Sequence, residues 1–206
     1  MLGFCSGVVD MRLKDTVTPV SDAAKILLAL VAVMWAVEVV DVIAGHQLDQ
    51  YGIEARETEG LDGILTAPFL HVGFGHLLSN TIPFVIMGLL IAFEGARRLL
   101  WVFAIVALVS GFSTWLVAPE GSIHVGASGV VFGFATYLIA RGWFNRRPGH
   151  IVVGLVVLFV WGGVLLGGLQ PREGISWQGH LFGAIGGVVA ARFLARGDAE
   201  RAVSPA

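Results

Sequence analysis

Ser128, within Gly126-Ala127-Ser128-Gly129, and His180, within Gly179-His180-Leu181-Phe182-Gly183, stand at corresponding ends of two hydrophobic segments. A serine hydroxyl is a weak nucleophile until a base takes its proton. A neutral imidazole can accept that proton and later give it to a departing amine. The pair implies acyl transfer, and hydrolysis where water is scarce. A second cluster, His71-Val72-Gly73-Phe74-Gly75-His76-Leu77-Leu78-Ser79-Asn80, offers donors for an oxyanion. His76 and Asn80 are four apart and share a helix face, so both could flank a tetrahedral intermediate beside the Ser128 backbone N–H. No acid takes the third place of a triad: Glu120 and Glu173 fall in loops, Glu38 and Asp41 in the first segment. A Ser–His dyad is therefore expected.

These groups must be positioned by membrane helices. Of 206 residues, 56% are hydrophobic and only 14% charged, with a mean hydropathy of +0.81; soluble domains carry about 25% charged residues. Six apolar runs occupy roughly 24–44, 77–93, 99–118, 128–140, 151–169 and 181–195. A spanning helix needs about 20 residues, so the chain reads as an all-α polytopic membrane protein with six transmembrane helices. Residues 22–196 form the membrane domain, between a cytoplasmic N-terminal tail (1–21) and a short, polar, disordered C-terminal tail (197–206). No cleaved signal peptide is expected. Cys5 is the only cysteine, which excludes an internal disulfide.

Charge sets the orientation. Arg12, Lys14, Lys25, Arg97, Arg98, Arg141, Arg146, Arg147, Arg192, Arg196 and Arg201 fall on one side of a six-pass arrangement, and only Arg56 and Arg172 on the other. Basic residues stay cytoplasmic, so both termini are expected in the cytoplasm of a multi-pass plasma-membrane protein. The long first loop, near 45–75, is then external, and its Leu65–Leu70 stretch is expected at the membrane interface. Trp115 and Trp177 fall near outer ends, as anchors or packing.

Under this topology segments two, four and six start outside, near His76, Ser128 and His180. Segment four is short: thirteen steps from Ser128 to Arg141 rise about 20 Å, against a hydrocarbon core of roughly 30 Å. Ser128 is thus expected below the outer surface, beside a wet cavity. Gly129 and Gly133 on segment four, and Gly179, Gly183 and Gly187 on segment six, permit close helix approach, which would bring Ser128 to His180.

Taken together, the residues resemble the rhomboid family of intramembrane serine proteases. The resemblance rests on His71, His76 and Asn80, on Gly126-Ala127-Ser128-Gly129, and on His180-Leu181-Phe182-Gly183 with Gly187, and covers about residues 20–196. It implies a minimal six-helix fold with Ser128 as nucleophile, His180 as base, and His76 and Asn80 as oxyanion donors. His71 matches an outer histidine that is structural or water-organising. Phe132 stands where the family often places a tyrosine against the base, so stacking can survive but the hydroxyl's hydrogen bond cannot. The Trp-Arg pair of many bacterial members is missing from the first external loop. The implied substrates are single-span membrane proteins, cut near the outer end of their helix, in the lipid bilayer. The fifth helix, with Gly162-Gly163 and Gly167-Gly168, is implied as a lateral gate.

No cofactor, metal or nucleic-acid partner is expected, and the oligomeric state stays open. There is no H-E-x-x-H, and a chelator should leave activity intact. The alternative is an inactive rhomboid-like protein that binds transmembrane helices. A transporter would spread ionisable groups through the membrane depth, whereas these cluster at one end. His124 is expected to pack its loop, His46 and His150 to be interfacial. Glu38 and Asp41, on one helix face, are expected to be solvated or bonded to the external loop.

Overall fold

A computed structural model describes the backbone of residues 4–203 and the side chains of residues 20–195. Cys5, and most of the tails expected at 1–21 and 197–206, lie outside the residues whose side chains are described. Among the described residues six helices are 18 residues or longer: α1 (Phe4–Ile43), α3 (Phe74–Ala92), α4 (Ala96–Val117), α5 (Ser128–Asn145), α6 (Pro148–Gly168) and α7 (Trp177–Val203). A short helix, α2 (Gly63–Thr66), lies between α1 and α3.

Within α1, Val20–Ile43 is long and apolar enough to cross a membrane, as are α3, α4 and α6. The other two long helices, α5 and α7, give up apolar surface for glycine and polar side chains because they face each other inside the bundle. α5 packs most closely on α7 and also touches α3, α4 and α6. It ends at Asn145, where Arg146 turns left-handed at φ 51° and closes the last turn on Gly142. Segment four is thus longer than the expected 128–140, though still shorter than a typical span. Pro148 opens α6, where its fixed φ suits a first helical turn.

The two glycine rows meet. A Cβ on Gly183 would lie 2.1 Å from the Gly129 carbonyl oxygen, and one on Gly187 2.1 Å from that of Gly133. Backbone therefore lies on backbone, a closeness only a residue without a side chain permits. Two hydroxyls tie the seam: Thr136 Oγ1 donates to the Ala184 carbonyl at 2.8 Å, and Ser110 Oγ to that of Gly179 at 2.8 Å.

The long first loop is folded. Its strand β1 (Ile53–Glu54) pairs antiparallel with β2 (Ile123–His124), just before Ser128. Trp115 Nε1 donates to the Glu57 carbonyl at 2.8 Å. In the Leu65–Leu70 stretch Leu65 and Thr66 are exposed, while Ala67, Pro68 and Leu70 are buried. At the other end of the bundle, Glu94 in the α3–α4 turn pairs with the buried Arg141 of α5 and with Arg98 at 3.5 Å, and accepts from Tyr137 OH at 3.3 Å. The basic clusters of these two connections therefore lie on one face, opposite the paired loops.

Candidate active site

The loop entering α5 is pinned from several sides. Gly126 donates its N–H to the Ala67 carbonyl at 2.8 Å, and the Ala127 N–H donates to His71 Nε2 at 3.3 Å. His71 must therefore be unprotonated at Nε2. Burial, with a smaller push from His76, lowers its pKa to about 4, so the ring is a neutral acceptor near pH 7. Gly126 sits at φ 116°, and a Cβ there would lie 2.9 Å from His76 Nε2 and 3.6 Å from Asn80 Nδ2. Only glycine satisfies both the left-handed backbone and this contact. The residue two before Ser128 is thus pressed against the two expected oxyanion donors.

Ser128 opens α5, half-buried, and shares the wall of one cavity of about 630 Å³ with His76, Asn80, Phe132 and His180. The Asn80 Nδ2 and His76 Nδ1 atoms are buried without a hydrogen-bond partner. A buried orphan donor costs about 1–3 kcal/mol, and an acceptor arriving in the cavity would recover that. Among the described residues Ser128 Oγ makes no hydrogen bond to His180; such contacts are often long before substrate binds.

His180 is held on two sides. Its ring stacks on Phe132 with centroids 4.2 Å apart and planes 8° from parallel. Its Nδ1 lies 2.8 Å from the Gly168 carbonyl oxygen at the end of α6. A carbonyl only accepts, so Nδ1 carries the proton and a neutral ring keeps Nε2 as its basic nitrogen. In a triad a carboxylate fixes this tautomer; here a backbone carbonyl does.

His124 also lies on this cavity. Its Nε2 is 2.9 Å from Ser122 Oγ and its Nδ1 2.8 Å from Ser176 Oγ, while Gly179 N–H also donates to Ser176 Oγ. It joins the loop before Ser128 to the loop before His180, and burial lowers its pKa. A smaller cavity of about 40 Å³ lies behind Ser128, walled in part by Ser110, Thr114, His124 and Ser176. That is room for one or two waters. Sequence reading missed Gly168 and Ser176: nothing in a sequence shows which carbonyl or hydroxyl will face a given histidine.

The rhomboid-domain family model matches residues 59–197, which hold every one of these groups. The chain belongs to the rhomboid family. It is 45% identical over 176 residues to an uncharacterised protein of Mycobacterium tuberculosis (strain ATCC 25618 / H37Rv), covering 82% of this chain and 73% of that one. It is 32% identical over 172 residues to the putative rhomboid protease YdcA of Bacillus subtilis (strain 168), covering 78% and 82%. The rhomboid protease GluP of the same strain matches at 28% over 134 residues, 64% of this chain and 25% of that one. This rhomboid is a polytopic all-α membrane protein, with His76, Asn80, Ser128 and His180 gathered on one cavity.

Proposed function

We propose that this rhomboid is an intramembrane serine endopeptidase that cuts transmembrane-helix substrates near their outer end. The observation that carries the reading is the His180 Nδ1–Gly168 carbonyl contact, which leaves a basic Nε2 in the cavity lined by Ser128. The names of the two Bacillus subtilis relatives support it. The Ser128 proton passes to His180 Nε2 as Oγ bonds the scissile carbonyl carbon. The resulting oxyanion meets His76, Asn80 and the Ser128 N–H. The C–N bond then breaks, and Nε2 gives its proton to the leaving amine. Water from the small cavity repeats the sequence on the acyl-enzyme, freeing the acid and restoring Ser128.

All six long helices cross the plasma membrane in this reading. The loops around β1 and β2 face outward, and both termini and the Glu94–Arg141 end lie in the cytoplasm. α6 supplies the side from which a helix enters.

The test is cleavage of a single-span substrate with small residues near its outer end, in liposomes, by wild type, Ser128→Ala and His180→Ala. Cleavage by wild type alone establishes the dyad. Undiminished cleavage by Ser128→Ala sinks the mechanism. Binding without cleavage by all three forms, at unchanged thermal stability, would favour the helix-binding alternative.

A further inference from the structure

At the site end of α1 three carboxylates and a histidine converge with no lysine or arginine paired to them among the described residues. Glu38 is 0% and Asp41 1% exposed, and three residues apart they share a helix face. Gly45 (φ 71°) and His46 (φ 62°) turn the chain back on itself, so that His46 N–H donates to the Asp41 carbonyl at 2.8 Å. This return sets His46 Nδ1 3.3 Å from Asp41 Oδ2 and Leu48 N–H 2.6 Å from Asp41 Oδ1. Asp49 follows at once. One ligand atom each from Asp41, His46 and Asp49 lie within 4.8 Å of one another.

Glu38 supplies an independent sign of a missing partner. Both its carboxylate oxygens are buried and lack a hydrogen bond, as does Asp49 Oδ1. The Glu38 carboxylate feels the charges of Asp41, Asp49 and His46, and the Gly73 N–H lies near it, short of hydrogen-bond geometry. Acidic groups on exposed surface need no ion. Two carboxylates fully buried on the membrane segment of one helix are another matter, since charge at that depth is kept only with a partner.

We propose that Asp41, His46 and Asp49 bind one divalent transition-metal ion of the Zn²⁺ or Mn²⁺ kind, with Glu38, whose oxygens lie outside that 4.8 Å group, turning in as the fourth ligand. Three oxygens and one imidazole suit these ions better than Ca²⁺ or Mg²⁺, which prefer oxygen alone. In a tetrahedral site with bonds of about 2.0–2.2 Å, ligand atoms stand roughly 3.3–3.6 Å apart, and side-chain torsions on the exposed His46 and half-buried Asp49 can close the present spread. The ion would fasten the outer end of α1 to the start of the first loop. Its role is structural, and the inference stands apart from the proteolytic reading.

The test uses the full chain in detergent micelles, with any affinity tag removed and metal stripped by EDTA that is then dialysed away. Equilibrium dialysis against Zn²⁺ or Mn²⁺ with elemental analysis should find one ion per chain, and thermal unfolding should shift upward with that ion. Asp49→Asn and His46→Ala should weaken binding at least about tenfold while leaving the metal-free unfolding midpoint near that of wild type. Glu38→Gln, nearly isosteric, should weaken it as well. Wild type that takes up no stoichiometric ion would overturn the proposal, and so would variants that bind like wild type. Uptake of Ca²⁺ in preference to both test ions would overturn the assigned ion class.

Discussion

The seam between α5 and α7, rich in glycine and polar side chains, and the more apolar outer helix α6 are opposites. On the seam backbone lies against backbone, and most of α5 from Gly129 to Leu138 is buried. Along α6 only Gly154 and Val157 are buried, and Phe159 and Leu166 stand exposed. Ser128 and His180 ride on the seam. The Gly168 carbonyl that holds His180, and the cavity wall at Trp161, Val164 and Leu165, ride on α6. The difference teaches a division of labour, which the proposed function would use: Ser128 and His180 sit where the helices cannot separate, and the α6 side of the cavity sits where they can.

Glycine substitutions probe that contrast most strongly. In Gly183→Ala the new Cβ meets the Gly129 carbonyl oxygen at 2.1 Å, with no flexible side chain to yield. Overpacking of this kind costs about 1–3 kcal/mol, and the rigid seam puts it near the upper figure. Gly163→Ala on α6 meets nothing within 4 Å and gains about 1 kcal/mol of helix propensity. Thermal unfolding in detergent should fall sharply for the first and hold or rise slightly for the second. Equal losses would erase the distinction between seam and outer helix.

The same contrast explains what was readable in the sequence. The glycine rows, Ser128 at a helix start and His180 beside one row were legible because small-residue spacing encodes close approach and polar groups in apolar runs are conspicuous. The membrane class was legible from composition alone. Contacts between distant backbone groups were not. No local pattern links Gly168 to His180 across twelve residues, or Ile53 to His124 across seventy-one. The Glu94–Arg141 pair was hidden for a different reason: Arg141 counts equally well as a topology marker on the surface and as a buried partner, and only packing decides. The sequence left Glu38 and Asp41 as solvated or bonded to the external loop; Asp41 is bonded to it, through Leu48 N–H and His46, and both are buried rather than solvated, an outcome hidden because the returning Gly45–His46 turn depends on two left-handed residues.

Acid should test the clamp behind Ser128. His71 has its pKa depressed to about 4 in the fold, against about 6.5 unfolded. Between those values the unfolded chain binds more protons, so stability rises with pH across the window. The contribution is fully present above about pH 6.5 and lost as pH falls toward 4, amounting to about 3 kcal/mol for the full shift. His124, also lowered by burial, adds to the same slope. Unfolding midpoints measured from pH 7 to pH 4 should decline in wild type and decline less in His71→Gln. A flat profile would mean that the loop entering α5 is not held by a neutral histidine.

Gly168→Ala asks whether α6 contributes to chemistry as well as to access. A Cβ there would lie 2.5 Å from Phe132 Cζ and 3.0 Å from His180 Nδ1. The ring pair must shift by a fraction of an ångström or α6 must move outward. Because α6 is loosely packed, stability should change less than in Gly183→Ala. Misplacement of a reacting group by about 1 Å can cost about 100-fold in rate, so the cleavage rate constant should fall by about 10- to 100-fold with little change in substrate binding. Loss of stability without loss of rate would assign Gly168 to packing alone.

The smallest effect concerns Phe132, the point where the seam itself touches the base. Its ring lies parallel to His180 at 4.2 Å, and such pairs contribute about 0.5–1.5 kcal/mol beyond area burial. Phe132→Leu keeps most of the volume and removes the stack, while the Gly168 carbonyl still fixes the tautomer. Cleavage should therefore drop only about two- to ten-fold, and the double change Phe132→Leu with Gly168→Ala should cost less than the product of the two, because both act on one imidazole. Multiplicative losses would mean that the stack and the carbonyl restrain His180 independently, and that seam and outer helix do not share the positioning of the base.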